Sequence, residues 1–192
     1  MTTNEKEAIF MLGLPGSGKS TWIAENIDLV KYHMVSADEI RVKHDNYDPK
    51  NPEAIHEECV RLAEEQMYIL AENGLNIVMD GGGINNNYTT RIITRLKDKH
   101  GYKIKIVFIN TPVSICIERN KDRVKNNERF VPNHSIIDKA YRLEKSVDKL
   151  VALSDNFLVV NYFTNKYVFV DLDGTVAEYQ QLPTDEYGDV NF

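Results

Sequence analysis

Three things are scarce in this sequence of 192 residues: long apolar runs, cysteines and an excess of positive charge. No apolar run approaches the roughly 20 residues of a membrane span, and the N-terminus lacks a basic-then-apolar signal pattern, so we expect a cytoplasmic protein. The two cysteines, Cys59 and Cys116, have no CxxC or Cys/His spacing, which predicts buried thiols. A net charge of −6 argues against a broad phosphate-coating surface, although it leaves room for a small basic pocket.

Short apolar runs alternate with longer segments of helical period, and the length allows one α/β domain with little to spare. This alternation predicts a three-layer α/β sandwich, in which a central parallel sheet of about five strands has helices on both faces. Strands are expected at 8–13, 32–36, 75–80, 102–110 and 157–162. Helices are expected at 19–27, 37–44, 51–74 (with an Asn cap and Pro at its first position), 85–101, 112–121 and 133–151.

The stretch GLPGSGKS, from Gly13 to Ser20, fits the pattern G-x-x-x-x-G-K-[ST] and lies between a strand and a helix. Its glycines allow backbone N–H groups to turn inward as an anion nest, to which the helix N-terminus adds partial positive charge. Lys19 can reach the β- and γ-phosphates, and Ser20 can offer its hydroxyl to Mg²⁺. The motif predicts a site for ATP and Mg²⁺, with contacts from Gly13, Pro15, Gly16, Ser17, Gly18, Lys19, Ser20 and Thr21.

The residues after the second and third strands favour a small kinase over other phosphate-loop proteins. The guanine-specifying Asn-Lys-x-Asp pattern is absent, and the third strand ends in a single acid, Asp80, followed by three glycines. Asp38 follows the second strand, and Arg41 shares its helical face. A carboxylate there can take a proton from an acceptor hydroxyl, and an arginine beside it can hold an anionic group. The alternative is a helix-initiating acid beside a solvated surface arginine.

The polar segment 119–131 is predicted to be a loop that acts as a lid, because it is basic within an acidic protein. Lid arginines in kinases close over the triphosphate and stabilise charge on the transferring group. A solvated charge run is the alternative. The basic residues are Arg119, Lys121, Arg123, Lys125 and Arg129.

Over residues 7–162 the sequence resembles the kinase domain of the phage polynucleotide kinase-phosphatase family, within the wider zeta-toxin-like group. The resemblance runs through GLPGSGKSTW, VSADEIR, NIVMDGGGINNNYTTR, ERNKDR and VPNHSIIDKAYR. It implies that Asp38 is the general base on a 5′-hydroxyl, that Arg41 contacts the acceptor's phosphate and that Asp80 serves substrate binding. The three glycines after Asp80 replace the family's usual Thr-Asn run, so the resemblance does not carry over the acceptor contacts made there.

The same resemblance implies that a lid arginine contacts the donor phosphates. This arginine is Arg123 when counted from the Arg-Asn pair, or Arg129 when counted back from Val-Pro, and Arg119 is a further ATP-binding candidate. The predicted catalytic set is therefore Lys19, Asp38, Arg41 and Arg123, with Ser20 on the metal.

The C-terminal stretch YVFVDLDGT resembles the opening of haloacid-dehalogenase-like phosphatases, which follow the kinase in the bifunctional family. There Asp171 would be the nucleophile and Asp173 the acid/base. Lys166 is the last basic residue of the chain, so a complete 3′-phosphatase is not expected. We therefore predict a kinase domain over 1–162 and a linker with an incomplete phosphatase start over 163–192; a chance DLDGT is the alternative.

The predicted function is an ATP-dependent kinase of 5′-hydroxyl ends of DNA or RNA. The expected partner is thus a nucleic-acid end and no membrane. Two alternatives remain open at this point. The acceptor could be a nucleoside, a sugar nucleotide or a hydroxymethylated base in phage DNA, or the protein could be a nucleotide-dependent interaction module without transferase activity.

Overall fold

The computed structural model describes residues 5–48, 51, 54–81, 86–125, 131–161 and 166–170, without side chains for 86, 123–125 and 166–170. The strands are β1 (Glu7–Leu12), β2 (Tyr32–Val35), β3 (Asn76–Met79), β4 (Lys103–Ile109), β5 (Asn156–Asn161) and β6 (Lys166–Val170). The helices are α1 (Lys19–Asn26), α2 (Ala37–Lys43), α3 (His56–Glu72), α4 (Asn86–His100), α5 (Val113–Lys125) and α6 (Asn133–Leu153). Within these residues, no helix combines the length and the apolar character needed to cross a membrane.

The six strands form one sheet in the order β2-β3-β1-β4-β5-β6. Strands β1 to β5 pair in parallel, which confirms the predicted α/β fold and its five-stranded parallel sheet. Strand β6 adds an antiparallel edge, with Phe157 opposite Val170 and Asn161 opposite Lys166. The division of the chain at residue 162 stays a prediction.

The core lies on both faces of the sheet. Strand β1 lies between β3 and β4, and its side chains are buried on both faces. Because side chains alternate along a strand, Ala8, Phe10 and Leu12 join a large apolar cluster, while Ile9 and Met11 join a smaller one. The larger cluster includes buried residues of α3, α4 and α6, and the smaller one includes Trp22 and Ile23 of α1. Helices therefore cover the two faces, and the phosphate loop follows a strand that is fixed on both sides.

Two predicted boundaries are wrong. Helix α3 begins at His56 after Ile55, and not after an Asn51 cap, because residues 54–55 form a turn and the acids of the first helical turn, Glu57 and Glu58, follow it. The predicted loop at 119–131 is helical up to Lys125, because its first part contains good helix formers and neither Gly nor Pro. Of the charged residues that suggested a loop, those whose side chains are described lie on the exposed face of this helix. Both cysteines are buried and free, as expected.

Candidate phosphotransfer site

The phosphate loop is a compact turn whose backbone requires glycine. Gly16 has φ of 82°, in the left-handed region, and a Cβ added to it would lie 2.8 Å from the carbonyl oxygen of Cys116 in α5. Gly18, with φ of 104°, immediately precedes α1. The Ser17 N–H donates to the Leu14 carbonyl at 3.1 Å, which closes the turn. The loop therefore leads into the positive end of α1, as an anion nest must.

Lys19 lies across the mouth of this loop. Its Nζ donates to the carbonyl oxygens of Gly13 at 3.0 Å and Leu14 at 2.9 Å. These bonds hold the ammonium at the edge of the nest where the phosphates of a nucleotide are expected. A phosphate oxygen at this position would be a charged acceptor, whereas the two carbonyl oxygens are neutral. Because charge-assisted hydrogen bonds are stronger, Lys19 would bind the phosphate in preference to the carbonyls.

Two side chains outside the sequence motif brace the loop through its carbonyl oxygens. Arg119 of α5 donates from Nη1 to the carbonyls of Gly16 and Ser17, each at 3.3 Å. The Thr111 hydroxyl donates to the Ser17 carbonyl at 2.8 Å and is buried. The sequence indicated Arg119 as an ATP contact, and the structure places it on the loop backbone. Thr111 carried no sequence signal, because its role depends on the neighbouring strand β4.

Asp80 lies beside Ser20, at the end of β3. The Ser20 hydroxyl donates to Asp80 Oδ2 at 3.1 Å, and the Asp80 N–H donates to the Val35 carbonyl at 2.9 Å. Burial raises the pKa of the Asp80 carboxyl above its usual value, although Lys19 and the Ser20 hydroxyl oppose this rise. Asp38 and Glu39 add a further raising effect on this pKa. Asp80 is therefore a half-buried acid that a cation at this point would stabilise.

The pairing of Ser20 with Asp80 fits the Mg²⁺ that a phosphate-loop kinase uses. Mg²⁺ commonly takes one or two protein oxygens and completes its shell with phosphate oxygens and water. Among the residues that the structure describes, no three His, Cys, Asp or Glu side chains are grouped so that they could hold a metal. Sequence reasoning placed Asp80 with the acceptor, which stays a prediction; the structure shows its carboxylate accepting from the Ser20 hydroxyl.

Asp38 and Arg41 meet as an ion pair in which the acid is exposed and the base is buried. Ser36 caps α2, with its hydroxyl accepting from the Glu39 N–H at 3.3 Å, and this cap starts the helix one residue before Asp38. Arg41 Nη1 lies 3.0 Å from Asp38 Oδ1, while the side chains are 2% and 65% exposed. The interpretation of Arg41 as a solvated surface residue is therefore wrong. Its Nη2 also contacts His56 Nδ1 at 2.6 Å.

A cleft of about 1210 Å³ joins these groups. It reaches from the phosphate loop past Asp38 and Asp80 to an apolar wall and to one face of α6. Burial, followed by the nearby Glu64 carboxylate, raises the pKa of the wall's Tyr88 to about 12, so its hydroxyl stays neutral. The wall contains Val60, Ala63, Met79, Tyr88 and Ile92, and α6 contributes Ser135, Asp138, Lys139 and Arg142.

Several predicted residues cannot be placed in this geometry. The backbone of Arg123 lies in α5, but its side chain is outside the described residues, as are all of Arg129, Asp171 and Asp173.

Sequence reasoning missed Asn120, which is buried and anchors Val131 at the end of the segment predicted to be a lid. Its Nδ2 donates to the Val131 carbonyl at 2.7 Å, and its Oδ1 accepts from the Val131 N–H at 3.0 Å. The Arg-Asn pair that served as a motif signal therefore combines two contacts, since Arg119 holds the loop and Asn120 fastens the segment before α6.

The model of the family described as zeta toxin matches residues 1–176. The chain belongs to the zeta toxin family. Membership in this family agrees with the structure above, because the phosphate loop and the fold are those of a nucleotide-binding phosphate-loop kinase. No curated protein sequence is detectably similar to the chain.

Solved structures with the zeta-toxin-family fold are similar at low identity. One is from the PezAT chromosomal toxin-antitoxin system of Streptococcus pneumoniae (TM-score 0.67, 16% identity, covering 88% of this chain and 73% of that chain). Another is from the Pnkp1/Rnl/Hen1 RNA repair complex (0.60, 21%, covering 77% and 47%). A third is the AvrRxo1-ORF1:-ORF2 complex with ATP (0.67, 16%, covering 86% and 57%). At these identities the likeness establishes the shared fold, and the last two chains are much longer than this one.

Proposed function

We propose that this zeta-toxin-family protein transfers the γ-phosphate of ATP to a hydroxyl, and that the acceptor is the 5′-hydroxyl end of DNA or RNA. The observation that carries the proposal is the exposed Asp38 carboxylate, which lines the same cleft as Lys19 and is held 3.0 Å from the buried Arg41. A carboxylate fixed in a cleft beside a phosphate loop can orient a hydroxyl and accept its proton. A protein that only binds nucleotide needs no such acid.

In this proposal each group of the site has a separate task. Lys19 turns from the loop carbonyls to the β- and γ-phosphates, while Ser20 and Asp80 hold Mg²⁺. The metal, when bound, neutralises charge that develops on the phosphate oxygens. Arg119 keeps the loop in shape, and Arg123 and Arg129 remain the two candidates for a lid contact to the donor. The structure favours Arg41 as the partner that orients Asp38, because its side chain is almost fully buried.

Two features of the cleft support a nucleic-acid end as acceptor. Lys139 and Arg142 of α6 line it and can contact the phosphates of a strand, although Arg142 is paired with Asp138 at 2.8 Å. The ring of Tyr88, on the apolar wall of the cleft, can stack on a base. The chain also shares its fold with a component of an RNA repair complex. That component's partners and substrate are its own, so the acceptor must be tested directly.

A second candidate, a small acceptor such as a nucleoside or a sugar nucleotide, is favoured by the acids of the cleft. They outnumber the bases that line it, which are Lys19, Lys139 and Arg142, and the protein carries a net charge of −6. The acids are Asp38, Glu57, Asp80 and Asp138. They disfavour a strand with many phosphates, because like charges repel. A small acceptor would meet fewer of them.

The two candidates are separated by offering γ-labelled ATP and Mg²⁺ with 5′-hydroxyl DNA and RNA oligonucleotides, nucleosides and sugar nucleotides. We expect label on the 5′ ends, and we expect Asp38→Asn to lower transfer by roughly 10²- to 10⁴-fold because it removes the base while keeping the shape. Asp98→Asn, on the exposed face of α4, is the matched control and should transfer normally. Label on a small acceptor alone would replace the first candidate with the second, and release of phosphate to water alone would contradict both.

A further inference from the structure

We propose that His56 is a positioning residue for the candidate base, acting on Asp38 through Arg41; this inference depends on the proposed function. His56 is the first residue of α3 and lines the cleft, and its Nδ1 lies 2.6 Å from Arg41 Nη2. Arg41 in turn lies 3.0 Å from Asp38. The three side chains therefore form a line from α3 through a buried guanidinium to the exposed carboxylate.

The chemistry of arginine fixes the protonation of this histidine. A guanidinium has only donors and keeps its charge, so the nitrogen that it contacts must be an acceptor. The contact therefore requires the ring proton of His56 on Nε2 and the lone pair of Nδ1 directed at Arg41. Protonation of Nδ1 would place two donors against each other and break the contact.

The contact matters because Arg41 has few other partners. Its side chain is 2% exposed, and among the described residues its Nε and Nη1 make no hydrogen bond. The ion pair with Asp38 is close, but it is not aligned as a hydrogen bond. Since a buried cation must be both paired and hydrogen-bonded to remain in place, His56 supplies the bond that sets the orientation of the guanidinium.

Loss of His56 should leave the fold intact. Helix α3 packs its buried Ala63, Met67 and Ala71 into the larger apolar cluster, and Ile40 of α2 packs against the same cluster. Both helices therefore stay in place without His56, whose own side chain is exposed. Its replacement should act on the orientation of Asp38, and through it on the transfer step.

The kinetic test compares two substitutions at one position. His56→Ala should lower kcat by roughly tenfold or more with the KM for ATP unchanged, because a hydrogen bond to a charged group is lost. His56→Asn should restore most of the loss, since its Oδ1 offers an acceptor near the position of Nδ1. In an Arg41→Gln background His56→Ala should have little further effect, because residues that act through one another are not additive. His33→Ala, at an exposed histidine of β2, is the control.

Equal rates for His56→Ala and the wild type, failure of His56→Asn to restore the rate, or additive losses with Arg41→Gln would each overturn the proposal. A measurement without turnover decides the contact even if no acceptor is phosphorylated. Long-range ¹H–¹⁵N spectra, assigned by the signal missing in His56→Asn, should show the Nε2–H tautomer; an Nδ1–H tautomer would refute the contact. Absence of transfer in the wild type would instead count against the proposed function.

Discussion

At the scale of single residues, the site contains an acid whose charged form is destabilised by its surroundings. This acid is Asp80, because burial raises its pKa in spite of the nearby Lys19 ammonium and the Ser20 hydroxyl. A raised pKa means that the folded protein holds the proton more tightly than the unfolded chain does. The charged form of Asp80 therefore destabilises the fold, and the stability lost to it grows as the pH rises from the usual value of 3.8 through the raised value.

Asp80→Asn should therefore separate stability from activity. The amide keeps the shape and removes the charge, so at neutral pH the free energy of unfolding should exceed that of the wild type, and the difference should vanish in acid. Phosphotransfer should fall by roughly 10²-fold or more, because an oxygen expected on the metal loses its charge. Urea titrations at neutral and acid pH measure the first effect, with Asp98→Asn as the exposed control. A variant less stable than the wild type at neutral pH would contradict this explanation.

At the scale of elements, the contacts between segments show what the sequence could and could not predict. The phosphate loop and the Asp-x-x-Arg pair are local patterns, and the structure brings both to one cleft. The hydrogen bond of Asn120 to Val131 joins α5 to the residues just before α6. The contact of Arg41 with His56 joins α2 to α3. Such contacts depend on the tertiary fold and leave no local sequence pattern. Asn120 therefore looked like any other polar residue of a charged segment. For the same reason, the burial of Arg41 could not be predicted.

The contact of Asn120 with Val131 gives a prediction for α5. Asn120→Ala leaves a buried N–H and a buried carbonyl without partners, so the free energy of unfolding should fall by about 2–4 kcal/mol. Lys121→Ala changes the next residue on an exposed face of the same helix and should change stability little. Chemical denaturation of the three proteins makes the comparison. Equal stability of Asn120→Ala and Lys121→Ala would show that water replaces the lost hydrogen bonds.

At the scale of the whole molecule, the five parallel strands followed from the sequence because each is a short apolar run between helical segments. The antiparallel β6 did not follow, since the resemblance assigned its residues to the start of another domain. Its pairing with β5 covers an edge that would otherwise expose backbone groups beside Phe157, Leu158 and Val160. Strand β6 therefore serves the kinase sheet, whatever else residues 163–192 belong to.

Two shortened chains test this role of β6. A chain that ends at residue 170 keeps β6, whereas a chain that ends at residue 161 leaves β5 as the edge of the sheet. Both contain the phosphate loop, Asp38 and the cleft, so both should bind ATP and transfer phosphate at similar rates. The shorter chain should self-associate more than the longer one, because an unpaired apolar edge strand is a template for another chain. Light scattering after size-exclusion chromatography compares their masses with that of the full chain. Equal masses for the two would show that the edge of β5 needs no cover, and loss of transfer in the shorter chain alone would show that the kinase domain extends beyond residue 162.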